Sequence, residues 1–429
     1  MSWDFSTEPE FEAKLRWMEE FVRREVFPLE VLDADEETFM RIVRGLQAEV
    51  KQQGLWAAHL PPELGGQGYG QVKLGLMHEI DGMSPWAPLV FGNQAPDSGN
   101  SEVLATFGSP EQKRRWLTPL LDGEMRSGFS MTEPEHAGAD PRVMSTTAVL
   151  DGEEWILNGH KWFTTNGVIA DFLIVMAITD PDAPTYERAS MLLVPADTPG
   201  VRVVRNIPHM GAEHERFGQG HAEVLYEGVR LPREALIGER GQGFQIAQAR
   251  LGPGRIHHCM RWLGQARRAF DMLCERALQR EAFGGPLADK QTVQNWIADS
   301  AAEMQAARLM TLHAAWVIDQ RGSREARVDI GLIKFYGASV LHDVIDRAIQ
   351  VNGALGYSGG LPLEEMYRHA RAARLYDGPD EVHRQTVARQ ILRHHQAPEG
   401  IWPSEHIPTR REAARAKFAA LLDQATADL

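Results

Sequence analysis

An α+β fold of three consecutive units, helical, then antiparallel β, then helical, is predicted by two changes of hydrophobic period along the 429 residues. From Phe11 to about Gly123 apolar residues recur at helical spacing, as in Leu15, Met18, Phe21 and Val22. Near Gly128 the pattern becomes short apolar or alternating runs divided by Gly, Asp and Pro, and from about Gln242 the helical period returns. The expected division is an N-terminal helical domain 1–127, a β-barrel-like domain 128–241, a C-terminal four-helix bundle 242–395 and a peripheral tail 396–429.

In the first unit Pro61-Pro-Glu-Leu-Gly-Gly-Gln-Gly reads as a loop. Ser109-Pro110-Glu111 reads as an N-cap with Pro at the first helical position, and Gly123 as that helix's end. In the second, strands are predicted over Thr146–Leu150, Glu154–Leu157, Phe172–Ile178, Ser190–Val194 and Val201–Val204, with His221–Leu225 and Val229–Leu231 completing the sheet. In the third, helices are predicted over Gln245–Ala282, Gln291–Gln320, Val328–Val351 and Asp380–His394, with the Gly-rich stretch Gly353–Gly360 between two of them. Long helices with short connections suggest a bundle. The tail carries three prolines and then a charged helix.

Composition excludes several classes of function. No stretch of about 18 apolar residues occurs, so no membrane span is expected. Met1-Ser-Trp-Asp-Phe is acidic and lacks the basic and apolar regions of a secretion signal. Two cysteines, Cys259 and Cys274, offer no disulfide framework, and a reducing, cytoplasmic location is expected. A formal net charge of −14 argues against nucleic acid as a partner. It leaves room for a phosphorylated ligand, since a few local arginines suffice for one nucleotide.

Some strings carry less than they suggest. Gly238-Glu-Arg-Gly-Gln-Gly has the wrong glycine spacing for a dinucleotide loop and no βαβ context. His257-His258-Cys259 invites a metal reading, but adjacent helical positions point about 100° apart, and scaffold is the favoured reading. His394-His395 is most simply a helix end.

Four stretches are harder to read as scaffold. Phe129-Ser-Met-Thr-Glu-Pro-Glu-His-Ala-Gly-Ala-Asp140 is a polar loop in which hydroxyls, backbone N–H groups and small residues can approach a planar ligand. Asn158-Gly-His-Lys-Trp-Phe-Thr-Thr-Asn-Gly167 sets aromatic residues, able to stack on a conjugated ring, beside threonines. In Arg280-Glu-Ala-Phe-Gly284, followed by Gln291, a charge and a ring three apart at a helix end face the same way, although a plain C-cap at Gly284 gives the same string. In Leu375-Tyr-Asp-Gly-Pro-Asp-Glu-Val-His-Arg384 a helix starts after Pro379. Asp377 just before it is either a cap or a general base whose pKa rises when a ligand excludes water.

In this order, and over roughly residues 10–395, these stretches resemble the acyl-CoA dehydrogenase family. Met131-Thr-Glu-Pro is similar to its T-E-P flavin loop, and Asn158 to Gly167 to its N-G-x-K-x-W-I-T-N-G string. Arg280-x-x-Phe-Gly with Gln291 is similar to R-x-x-F-G…Q. Gln350-Val-Asn-Gly-Ala-Leu-Gly-Tyr resembles Q-x-x-G-G-x-G-[YF], and Tyr376-Asp-Gly its Y-E-G segment. Arg250-Leu-Gly-Pro-Gly-Arg-Ile-His-His-Cys-Met-Arg261 and Asp377 to His383 resemble the branch whose dehydrogenase domain follows a kinase-like domain in animals; the kinase-like domain is absent from this sequence.

The resemblance implies FAD as cofactor and an acyl-CoA as substrate. Thr132 and Thr165 would hydrogen-bond the flavin ring, with Phe163 against it in place of the usual Trp. Phe129, Met131, Gly138, Ala139, Pro379 and Glu381 would add cofactor contacts. Arg280, Phe283, Gln291, Gln350, Gly353 and Ala354 would hold the pyrophosphate and adenosine of a neighbouring subunit's FAD, which implies a homodimer or homotetramer. Asp377 would take the α-proton while the β-hydrogen leaves as hydride to flavin N5. Its backbone N–H and a ribityl hydroxyl would bind the thioester oxygen, the logic of an oxyanion site. Tyr376, Gly378, Arg255 and Gly254 would border the thioester, and an electron-transfer flavoprotein would accept the electrons.

The sequence departs from the family at Asp377, one methylene shorter than the usual Glu. It departs again at Gly254, where some members carry the base, at Ala139 in place of a phosphate-binding serine, and at His136 beside a one-residue insertion. Nitroalkane-oxidase-like and acyl-CoA-oxidase-like chemistry, or inert flavin or acyl-CoA binding, are the alternatives. Asn93–Asn100, polar and glycine-containing, is expected to floor the acyl pocket, which suits an acyl chain carrying an extra polar group; the resemblance implies a medium- or long-chain or hydroxylated acyl-CoA.

Overall fold

The computed structural model describes residues 6–64, 66–140, 142–211, 216, 217 and 219–427. By contact the chain forms two units, residues 1–384 and 385–429. The larger opens with helices α1 (Pro9–Phe21), α2 (Phe27–Glu30), α3 (Glu36–Gln52), α4 (Gln71–Asp81), α5 (Ala87–Val90), α6 (Asp97–Phe107), α7 (Pro110–Gln112) and α8 (Thr118–Asp122). Local chemistry sets their ends. The Asp35 carboxylate accepts from the Thr38 N–H at 2.8 Å to start α3. Ser109 and Gln112 form a reciprocal capping box on α7, and Gly123 ends α8 in the left-handed region at φ 80°.

Strands β1 (Ser127–Ser130), β2 (Thr147–Asp151), β3 (Glu154–Thr165), β4 (Phe172–Ile178), β5 (Ala189–Pro195), β6 (Val201–Asn206), β7 (His221–Pro232) and β8 (Leu236–Ile237) form one sheet. Its order is β6-β7-β3-β1-β4-β5-β8, with β2 pairing β3 and β4. Pairing is antiparallel except that β4 lies parallel to β1 and β2. The unbroken apolar run of β4 has a physical cause, because both of its faces are covered. Phe172, Ile174 and Met176 enter one core with Trp116 and Met191. Leu173, Val175 and Ala177 enter another with Trp155 and Tyr226. The sequence had suggested a loop from Phe129; its first residues are instead strand β1, which brings Phe129 opposite Thr165 of β3.

Helix α9 (Gly243–Gln279) leads through a hairpin, β9 (Glu281–Ala282) and β10 (Gly285–Pro286), to α10 (Gln291–Arg321), α11 (Arg327–Asn352), α12 (Leu363–Ala372) and α13 (Asp380–Leu392). A shared core of Ile256, Met260, Leu273, Leu312, Ile333, Leu341, Leu363 and Ala370 joins α9, α10, α11 and α12 as a four-helix bundle. Helix α12 was not anticipated. Among its ten residues only Leu363 and Ala370 are buried, too few to mark a period in sequence. The hairpin corrects a second expectation: α9 stops at Gln279, Gly284 is no helix cap, and Arg280 and Phe283 share no helical face. The smaller unit contains α14 (Ile407–Lys417) and α15 (Ala419–Ala427). No helix among the described residues is long and apolar enough to cross a membrane.

Candidate active site

Asp377 lies in the turn between α12 and α13 with φ 53°, a left-handed conformation that Asp tolerates better than most side chains. Three groups hold this turn from different elements. Arg255 Nε of α9 and His383 Nε2 of α13 both donate to the Asp377 carbonyl, each at 3.1 Å. Lys334 of α11, fully buried, donates to the carbonyls of Ala373 at 2.7 Å and Gly378 at 3.3 Å. The backbone N–H of Asp377 is spent on none of these carbonyls. Gly378 is required: its φ is 98°, and a Cβ there would sit 2.8 Å from His383 Nε2. Gly378→Ala is therefore expected to destabilise the fold by about 1–3 kcal/mol and to push His383 off the Asp377 carbonyl. Thermal unfolding and steady-state turnover check this, and wild-type values of both reject it.

The Asp377 side chain points back at α9, so it does not serve as the α13 cap. Its Oδ2 is 3.2 Å from His258 Nε2. The His258 ring lies 5.0 Å from that of Tyr376, whose hydroxyl accepts from Trp262 Nε1 at 2.6 Å. Arg255, His258 and Trp262 follow one another at helical i, i+3, i+7 spacing, so one face of α9 lines the turn. Gly254 beside them is open space, with nothing within 4 Å of a Cβ. Burial pushes the Asp377 carboxyl up, but the His258 hydrogen bond and the charges of His258, Arg255 and Arg250 outweigh it and hold the group well below the usual carboxylate range. The rise expected from sequence concerns a site from which a ligand excludes water; in this structure Arg250 and Arg255 bear on the carboxylate beside His258. His258, read from sequence as scaffold with its neighbours, faces the Asp377 carboxylate. The available signal was its position one turn beyond Arg255.

A second cluster joins the two stretches expected at the flavin ring. Thr132 Oγ1 donates to the Trp162 carbonyl at 2.8 Å, and the Trp162 N–H to the Thr132 carbonyl at 3.1 Å. Beneath them lies a fully buried lysine that sequence reasoning missed. Lys161 Nζ donates to the Met131 carbonyl at 2.8 Å and to Glu133 at 2.9 Å. Glu133 also accepts from the Ser145 N–H and hydroxyl and the Thr146 N–H. Burial raises its carboxyl, but Lys161 and these donors prevail and bring it down to about 2. A register shift in β3 between Lys161 and Thr164 gives Phe163 a φ of 48° and leaves its ring 44% exposed. Thr165 Oγ1 is 3.0 Å from His221 Nδ1. An exposed aromatic ring beside a positioned threonine fits a planar, hydrogen-bonding cofactor such as a flavin.

Next to this cluster is a shallow recess lined by Met131, Thr132, His136, Gly138 and Val143 among others. Gly138 packs against Thr132, where a Cβ would come within 3.1 Å of Thr132 Cγ2, so the loop is close-fitting there. Ala139 is exposed beside it, and His136 Nε2 is 3.8 Å from Glu133. At the far end of the bundle Arg280, Phe283, Gln291, Gln350, Gly353 and Ala354 are all exposed. Phe283 is wholly so, and Tyr357 is 82% exposed. Gln350 lines a second recess with Trp296, Asp343, Asp346 and Arg347. The structure therefore brings together Phe129, Met131, Thr132, Phe163 and Thr165 on one side. It brings together Tyr376, Asp377, Gly378, Arg255 and Gly254 on another, with Pro379 and the exposed Glu381 opening α13 after them. The Arg280–Ala354 set stands apart from both within one chain.

Comparison with known proteins agrees along the chain. The family profiles for the N-terminal, middle and C-terminal domains of acyl-CoA dehydrogenase match residues 8–124, 128–223 and 241–392. The protein named "Probable acyl-CoA dehydrogenase FadE2" of Mycobacterium tuberculosis is 47% identical over 354 residues, 82% of this chain and 86% of its own length. "Acyl-CoA dehydrogenase family member 10" of Mus musculus is 41% identical over 388 residues, 87% of this chain but 36% of its own length, so this chain spans only a part of that relative. The solved structure of "a putative acyl-CoA dehydrogenase from Mycobacterium abscessus" superposes with a TM-score of 0.86 at 42% identity, covering 91% of this chain and 99% of that one. An "FAD complex of PigA" superposes with a TM-score of 0.78 at 25% identity, covering 91% and 99%. The chain belongs to the acyl-CoA dehydrogenase family.

Proposed function

We propose that this chain is an FAD-dependent enzyme that removes the α-proton and a β-hydride from an acyl-CoA thioester, with Asp377 as the base. The observation that carries the reading is the Asp377 turn, where a carboxylate and an unspent backbone N–H are fixed by Arg255, His383 and Lys334. FAD supplies the acceptor for the β-hydride. Asp377 accepts the α-proton, and its own N–H donates to the thioester oxygen as that atom gains negative charge. Thr132, Phe163 and Thr165 hold and face the ring. Tyr376 and the open surface at Gly254 border the thioester.

The exposed Arg280, Phe283, Gln350 and Ala354 are the adenosine and pyrophosphate side of a site completed by a second copy, in a homodimer or homotetramer. We place the enzyme in acyl-chain oxidation in the cytoplasm, with electron-transfer flavoprotein as acceptor; its unpaired Cys259 and Cys274 suit a reducing compartment.

For the substrate, polar atoms near the acyl end favour a medium or long chain bearing a hydroxyl. Asn100 Oδ1 and Arg250 Nε are buried without a hydrogen-bond partner among the described residues. The Arg250 guanidinium lies 4.1 Å above the Phe129 ring. A hydroxylated acyl group satisfies such atoms, whereas a plain alkyl chain leaves them unpaired. Anaerobic titration of the purified protein with plain and 4-hydroxylated acyl-CoAs is expected to bleach the flavin, more completely with the hydroxylated set. A yellow protein that no acyl-CoA reduces overturns the reading in favour of nitroalkane chemistry or inert binding. Stoichiometric peroxide during aerobic turnover points to an oxidase.

A further inference from the structure

We propose that His258 is a positioning residue for the base: its Nε2–H holds Oδ2 of Asp377 and so turns the other carboxylate oxygen, Oδ1, toward the acyl Cα. The inference rests on the acyl-CoA reading above and extends it to a residue outside the motifs that suggested it.

The geometry supplies the argument. His258 Nε2 lies 3.2 Å from Asp377 Oδ2, and since a carboxylate accepts and never donates, the contact is attractive when that ring nitrogen carries a hydrogen. That holds for the neutral Nε2–H tautomer and for the imidazolium alike. The backbone of Asp377 is fixed through its carbonyl by Arg255 and His383, which leaves the side-chain torsions as its remaining freedom. Asp has one torsion fewer than Glu and reaches less far, so its oxygens must be aimed more closely. His258 does this from a rigid support: it is on the 37-residue helix α9, its ring lies against Tyr376, and its side chain is 23% exposed, open to the site. With Oδ2 occupied, Oδ1 is the oxygen left to break the Cα–H bond and form O–H. The C–H electron pair stays on the substrate, and Asp377 ends as the neutral acid, still accepting from His258 at Oδ2.

His258 also tunes the base. The groups bearing on Asp377 are Arg250, Arg255 and His258 of α9, together with Cys259, then Lys334 of α11, His383 of α13 and the neighbouring Tyr376. His258, 3.2 Å away, is the nearest of the influences that hold the carboxyl low. Removing His258 raises the carboxyl, whereas removing a side chain that only packs there would not.

The test uses FAD-loaded wild type, His258→Gln and His258→Leu with a 3-thiaacyl-CoA, whose sulfur replaces the β-carbon so that no hydride can leave. Exchange of its α-hydrogens in D₂O is followed by mass spectrometry across pH, with FAD content and thermal unfolding confirming intact protein. In His258→Leu the plateau exchange rate is expected to fall about tenfold, and the acid limb of the profile to move up by about one pH unit. In His258→Gln, which keeps an N–H donor, both return most of the way to wild type. A plateau rate in His258→Gln as low as in His258→Leu sinks the proposal alone, because restoring an N–H donor does not rescue a residue that only packs. No exchange by the wild type sinks the acyl-CoA reading and the proposal with it.

Discussion

Asp377→Asn is expected to lower turnover by about 10³-fold or more, the range that a general base supplies, while the protein stays yellow and still binds acyl-CoA. The substitution is close to isosteric, and Asn, like Asp, tolerates the left-handed φ of 53° at this position. The contacts that shape the turn go to its backbone: Arg255 and His383 bind the 377 carbonyl, and Lys334 binds the 378 carbonyl. The amide oxygen can still accept from His258. What disappears is the proton acceptor, so the loss belongs in the rate of flavin reduction and not in the dissociation constant of the ligand. Anaerobic stopped-flow reduction separates the two. An Asn variant that is yellow and reduced at more than a tenth of the wild-type rate would falsify the assignment of Asp377 as base.

The parts of the site that announce themselves in sequence are those where local geometry and chemistry coincide. Asp377 is legible because Gly378-Pro379 after it demands a turn followed by a helix start, and the structure has both. The strands of the middle domain are legible because β4 and β5 are apolar on both faces, and their limits were foreseen to within a residue. Elements that depend on partners far along the chain are not legible. Lys161 sits in an alternating strand where a lysine reads as solvent-facing. Only the pairing of β3 with the loop after β1 reveals that it is buried on Glu133. Lys334 is surrounded by apolar residues of α11, and its role depends on carbonyls about 40 residues further on. His258 was obscured by its neighbours. His257 points elsewhere, into a buried polar cluster with Gln71 and His78, so the His-His pair is two separate contacts. Arg280 and Phe283 show the converse: the motif was recognised, but the helical geometry assigned to it is a hairpin.

The second large effect expected is on stability, from Lys161→Met. Lys161 is 0% exposed and Glu133 3%, so the pair is removed from water. Breaking a buried pair by deleting one member costs about 3–5 kcal/mol, because the remaining charge loses its compensation. Here the Met131 carbonyl also loses its donor. Burial pulls the Lys161 ammonium down while the pair holds Glu133 down, and the two tendencies oppose each other. Glu133 prevails, since it has the Ser145 N–H and hydroxyl and the Thr146 N–H in addition to Lys161. Its folded pKa is lowered from 4.5 to about 2, so its stabilisation is present above pH 4.5 and is lost as pH falls toward 2. In Lys161→Met the Glu133 carboxyl rises, and acid unfolding is expected to begin at a higher pH than in the wild type. The loop this pair secures carries Met131 and Thr132, so FAD should be released at lower urea than wild type requires. Tryptophan fluorescence and flavin fluorescence over urea and pH series measure both. Wild-type midpoints in the Met variant would mean that the pair contributes nothing net, and that the Met131–Thr132 loop is held by the Thr132–Trp162 backbone pairing alone.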